Sequence, residues 1–130
     1  MALTRTEHIA HTGSGDVKAL RAATEEIGDL LNAKLPEARS YFSGLVAGED
    51  ASSTEHIREA WKDFDEDGRE PETGSISAAY GPRDGAFDVY VNIVVDVRSR
   101  HVSGTVAGFK RDEVRALASE IRAILKRHLS

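Results

Sequence analysis

The stretch EAWKDFDEDG, Glu59 to Gly68, gathers acidic side chains just ahead of a glycine, the raw material of a calcium loop. Such a loop needs hard oxygens converging on one ion, a glycine for the sharp turn, and a bidentate carboxylate at the twelfth position. Counting from Asp63 puts Asp63, Asp65, Asp67 and Gly68 in suitable places but leaves Gly74 where the bidentate carboxylate belongs. Counting from Asp65 puts Glu70 at the glycine position and Ile76 at the end. The acids read as a solvated segment, with Asp63, Asp65 and Asp67 as weak cation candidates and no resident metal or cofactor expected. His8 and His11 share a spacing that suits a metal, yet His56, His101 and His128 show no pattern that completes a ligand set. HTGSGD, His11 to Asp16, precedes a helix and resembles an anion cradle, but it has no P-loop lysine and is not GxGxxG. Asp88 and Asp96 are eight residues apart on one extended stretch, roughly 26 Å, too far for a catalytic pair. Neither GxSxG nor HExxH occurs, so nothing in the residue types points to an enzyme.

The 130 residues suit a single domain, 1–130, and 40% of them are hydrophobic. Seventeen of those are alanine, which leaves a thin core and makes burial against further copies of the chain plausible. No cysteine is present and no run is apolar enough for a membrane span, so neither disulfide nor membrane chemistry is expected. Arginine outnumbers lysine 12 to 5 and acids outnumber bases 22 to 17, a balance that suits a GC-rich or halophile source. The net charge of −5 is unevenly spread. Glu49 to Thr73 holds ten acids against three bases, whereas Arg98 to Ser130 holds eight bases against three acids. Such a split either neutralises itself within the fold or orients head-to-tail contacts between subunits. Arg111, Arg115, Arg122, Lys126 and Arg127 decorate the last helix without interleaved aromatics, so sequence-specific nucleic-acid binding is not expected.

Apolar positions from Val17 to Leu31 recur at helical spacing and predict a helix over 16–34, ended by Pro36. Thr4 and Glu7 fit a capping box for a short helix within an N-terminal arm, 1–15, and Ser52 and Glu55 fit a second one. The latter opens an acidic helical insertion, 51–73, with Ile57, Ala60, Trp61 and Phe64 on one face. SISAAY, the turn GPRDG and FDVYVNIVVDV read as a hairpin, and HVSGTVAGF as an edge strand weakened by Gly104 and Gly108. Val114 to Leu129 forms the clearest helical stripe. The expected fold is α+β: a small antiparallel sheet of two to four strands, packed on one face by an N-terminal and a C-terminal helix.

FDVYVNIVVDV, Phe87 to Val97, alternates an apolar row with Asp88, Tyr90, Asn92 and Asp96, and that second row is the candidate interface or lumen surface. The order of SISAAY, FDVYVNIVVDV and DEVRALASEIRAILKRHL, with the helix at Asp16 to Lys34, resembles the strand, strand, helix unit of tail-terminator and related neck proteins of tailed viruses. The resemblance implies a structural protein of the virion tail or neck, a homo-oligomer closing into a ring, often a hexamer, with other tail or neck proteins as partners. An acidic lumen on such a ring would repel DNA phosphates. The alternative expectation is a small cytoplasmic α+β binding module or enzyme whose ligand sits over the polar face of the sheet.

Overall fold

A computed structural model describes residues 4–13, 15–34, 40–81 and 87–129. In chain order the elements are β1 (Arg5–Thr12), α1 (Val17–Lys34), β2 (Ser40–Ala47), β3 (Asp50–Thr54), α2 (Ile57–Asp67), β4 (Thr73–Tyr80), β5 (Val89–Asp96), β6 (His101–Gly108) and α3 (Arg111–Leu129). The strands form one antiparallel sheet in the order β1-β6-β5-β4-β2-β3. The class is α+β as expected, but six strands replace the expected two to four.

The additional strands are β1, β2 and β3; β2 carries Tyr41, Phe42, Leu45 and Val46, whereas β1 and β3 carry the least apolar signal. β1 has one buried hydrophobic, Ile9, and is held by its ladder to β6, so the Thr4–Glu7 capping box starts no helix. β3, DASST, has no large apolar residue at all and extends through the Ser52–Glu55 box. Both lie at sheet edges, where one flank makes no ladder and propensity counts for little. The expected insertion at 51–73 is therefore an edge strand followed by a helix built into the core. The turn before β3 fits a two-residue hairpin with glycine first, since Gly48 has φ +61°.

β6 is the other correction: it lies inside the sheet, between β1 and β5. Its glycines do not weaken an edge; they allow close approach. A methyl group at Gly104 would stand 2.0 Å from the Asn92 carbonyl oxygen, and one at Gly108 would stand 2.1 Å from that of Asp88. Gly104→Ala should therefore force β5 and β6 apart and cost roughly 2–4 kcal/mol, read as a lowered urea midpoint.

All three helices cover one face of the sheet, α3 over β1 and β6, α2 over β2 and β3, and α1 between the two helices. One continuous core fills the gap, with Val89, Val91, Ile93, Val95 and Val97 of the central strand buried against Leu20, Ile27, Trp61, Ile121 and Leu125. Phe87, at the start of the expected apolar row, is only half-buried. The helix ends follow from local chemistry. Asp16 accepts from the Ala19 N–H at 2.8 Å and starts α1. Gly68, with φ +66°, ends α2, its N–H bonding the Asp65 carbonyl while the Arg69 N–H reaches that of Phe64. Pro36, residues 82–85 of the GPRDG turn and residue 86 lie outside the described residues.

Candidate functional site

Among the described residues, the opposite face of the sheet carries no helix. Strand register places Asn92 beside Thr105 and Ser77, with His8 beyond Thr105 and Phe42 beyond Ser77. In the next row Val94 lies between Ser103 and Ser75, with Gly44 beyond. Most of these side chains are small and uncharged, so the surface is flat. Out of it stand Phe42 and Val94, each 46% exposed, and Val46, 39% exposed. An open, near-neutral sheet face with separate large apolar side chains is suited to protein contact rather than to chemistry.

At one end of this face Phe87, Tyr90 and Phe109, with Thr4, Ala107 and Gly108, line a recess of about 380 Å³. The rings of Phe87 and Tyr90 are tilted, with centroids 5.9 Å apart. Asn92 and the carboxylates are absent from its lining, so Tyr90 does not converge there with an amide and an acid.

The four residues of the expected second face are divided by the structure. Tyr90 and Asn92 lie half-buried on the open surface. Asp96 is exposed and its carboxylate accepts from the Ser99 N–H at 3.2 Å, closing the β5–β6 turn. Asp88 lies at the other end of the strand, 3.7 Å from the Lys110 ammonium.

The cation candidates are dispersed in a similar way. Asp63 and Asp65 sit on α2, and so does Asp67, at its last residue. Successive pairs two residues apart on a helix point about 200° away from each other. Asp63 accepts from the Ser52 hydroxyl, Asp65 pairs with Arg21 at 2.7 Å, and Asp67 is exposed. Among the described residues no group of three or more His, Cys, Asp or Glu could hold a metal ion. HTGSGD is explained by packing: a methyl group at Gly13 would stand 2.4 Å from the Leu129 Cβ, and one at Gly15 would crowd the same leucine.

Sequence spacing missed His56, which caps α2. Its Nδ1 accepts from the Arg58 N–H at 3.0 Å and its Nε2 donates to Asp29 at 2.9 Å, so neither nitrogen is free to move a substrate proton. Gly28 gives the ring its room, since a methyl group there would stand 2.9 Å from the His56 Cε1. Arg58 clamps Asp29 with two hydrogen bonds and also reaches Glu25. On the other flank Arg122 of α3 pairs with Glu7 at 3.2 Å.

These pairs set a pH dependence. Arg58 foremost, then His56, holds the Asp29 carboxyl below the ordinary aspartate range against the opposing effect of burial. Arg122, aided by Arg5, does the same for Glu7. Each group binds its proton less readily folded than unfolded. The stability it adds is complete above the unfolded carboxylate values of about 4 and is lost as pH falls through the lower folded values. Asp29→Asn and Glu7→Gln should thus flatten the acid limb of stability between about pH 5 and pH 2, measured by urea midpoints. An acid limb as steep as that of the unaltered chain would remove both pairs from the account.

No family model matches the chain, and no curated protein matches it. Among solved structures, the crystal structure of Ara h 8.0201 is similar with a TM-score of 0.36 at 14% identity, over 95% of this chain and 99% of that one. That likeness is too distant to carry function across. Among the described residues, no helix is long and apolar enough to cross a membrane.

Proposed function

We propose that the chain is a structural assembly protein, a subunit of a homo-oligomeric ring of the tail-terminator or neck type in a tailed virus, with its bare sheet face covered by a neighbouring copy. One observation carries the reading: three helices cover one face of a six-stranded sheet, and the other presents Phe42, Val46 and Val94 among small uncharged side chains. Two such faces can lie sheet on sheet, about 10 Å apart, without burying a charge at their centres.

The experiment is native mass in solution, by light scattering on a sizing column, at low and at multimolar salt. A mass several times that of the subunit is expected. A strict monomer at every salt and concentration would overturn the reading. The aromatic recess at Phe87, Tyr90 and Phe109 favours a second reading, a binding module for a small apolar ligand. That module would be monomeric or dimeric.

A further inference from the structure

β1 and β3 are the two edges of the sheet, with four strands between them, so about 24 Å of sheet keeps them apart in one copy. Arg122 Nη2 donates to the His8 carbonyl at 2.6 Å, so that carbonyl points away from β6. Amide groups alternate along an antiparallel strand, which turns those of Thr6, His8, Ala10 and Thr12 outward and those of Arg5, Glu7, Ile9 and His11 toward β6. Beside this outer edge runs a groove of about 620 Å³ between β1 and α3, with His8, His11, Arg122 and Lys126 in its lining. Its lining holds two imidazoles and two cations, Arg122 and Lys126, of which Arg122 pairs with Glu7, and no carboxylate.

The other edge has the complementary character. Gly48 to Glu55, GEDASSTE, contains three acids and no base; Asp50 pairs with Arg69, and Glu49 and Glu55 are exposed. The Ala47 and Asp50 pair closes the two-residue hairpin, so Ala51 and Ser53 turn their amides away from β2. The strand spans five residues, roughly 17 Å, which fits within the eight of β1. α2 behind it extends the negative surface with Glu59, Asp63, Glu66 and Asp67, whereas α3 behind β1 carries Arg115, Arg122, Lys126 and Arg127.

We infer that the β1 edge of one copy takes up the β3 edge of the next, extending the sheet from subunit to subunit with acidic edge against basic groove. The inference rests on the assembly reading above and names the surfaces that close the ring. The contact is heterologous: each copy offers one edge and uses the other, so the chain of contacts closes into a ring or runs on as a filament. The sheet face and the sheet edges are different surfaces, so both can be occupied at once. Because charge draws the edges together, the edge contact weakens with salt, whereas an apolar face contact does not.

The test uses the full chain with proline at an outward amide. Ala10→Pro removes one from β1 and Ala51→Pro one from β3, and neither amide serves the chain's own ladder. Each variant alone should lose the higher oligomers in sedimentation velocity. Mixed in equal amounts they should regain mass, because the intact β3 of the first meets the intact β1 of the second. Exposed charges give a version that leaves the backbone untouched. His8→Glu/Lys126→Glu should fail to associate with itself and should associate with Asp50→Lys/Glu55→Lys. Unchanged masses in both proline variants would overturn the edge contact while leaving assembly through the face intact. No recovery in either mixture would overturn it as well, and an unaltered chain that stays monomeric would overturn both readings.

Discussion

Tyr90→Lys/Asn92→Lys should leave the chain folded and, on the proposed assembly reading, break its oligomers. Both side chains sit half-buried on the bare sheet face, Tyr90 toward one end and Asn92 nearer its middle, flanked by Ala107, Thr105, Ser77 and Ala79. Neither belongs to the core, whose central strand contributes Val89, Val91, Ile93, Val95 and Val97 from the other side. Two ammonium groups on the open face are solvated in a free subunit and cost it little. Covered by a second sheet, each would be buried without a carboxylate to meet it, since the surrounding rows are Ser, Thr and Ala. An uncompensated buried charge costs about 3–5 kcal/mol. The dissociation constant should therefore rise by more than ~100-fold. Light scattering reads the mass, and circular dichroism with a urea midpoint confirms that the subunit is intact. Assembly that proceeds normally in this variant would take the face out of the interface altogether.

The same alternation shows how far the sequence reached. FDVYVNIVVDV is legible because, among the described residues, its strand has helices on one side only, so the pattern records the environment directly. α1 and α3 are legible for a related reason: each lays one continuous stripe on the core. β1 is hidden because its place is fixed by a partner distant in sequence, and β3 because its own residues, in a short hairpin with β2, include no large apolar side chain. β1 pairs with residues about a hundred positions away, and Arg122 and Glu7 join it to α3 across a similar gap. In RTEHIAHT a helix-start pattern and a strand compete on equal terms locally, and the ladder to β6 decides. Glycine commonly weakens a strand, so the sequence of β6 suggests an edge; here Gly104 and Gly108 are what let β5 come close. The four-residue site was half legible. Tyr90 and Asn92 stand where alternation put them, while Asp88 and Asp96 are drawn off by Lys110 and by a turn amide that no periodicity encodes. His56 gave no signal because its role as a cap depends on Asp29 and Gly28 from another helix.

The largest loss of stability is expected at the chain's single tryptophan. Trp61 is 3% exposed on α2, and its indole N–H donates to the Thr24 hydroxyl at 2.9 Å, while that hydroxyl donates to the Arg21 carbonyl. The Arg21 guanidinium lies over the ring, 5.6 Å from its centroid, and pairs with Glu25 and Asp65. One side chain thus fills the space between α1 and α2 and leaves no buried donor unmet. Trp61→Ala removes the packing, opens a cavity and takes away the hydrogen bond that the Thr24 hydroxyl accepts, at a cost of about 3–5 kcal/mol. Set against a total of about 5–15 kcal/mol for a domain, that is a large share. Trp61→Phe keeps most of the packing and should lose clearly less, which separates the volume effect from the hydrogen bond. Urea titration followed by circular dichroism measures both, since Trp61→Ala deletes the fluorophore. The damage should not be uniform, because α2 is the helix that backs β3. Hydrogen exchange should rise first at Asp50–Thr54 and Ile57–Asp67, with β5 and β6 protected until the whole chain opens. If the β3 edge is what a neighbouring copy receives, oligomers should disappear at urea concentrations where the central sheet of this variant is still folded. Loss of assembly and of the central strands at one and the same midpoint would tie β3 to the global unfolding unit instead.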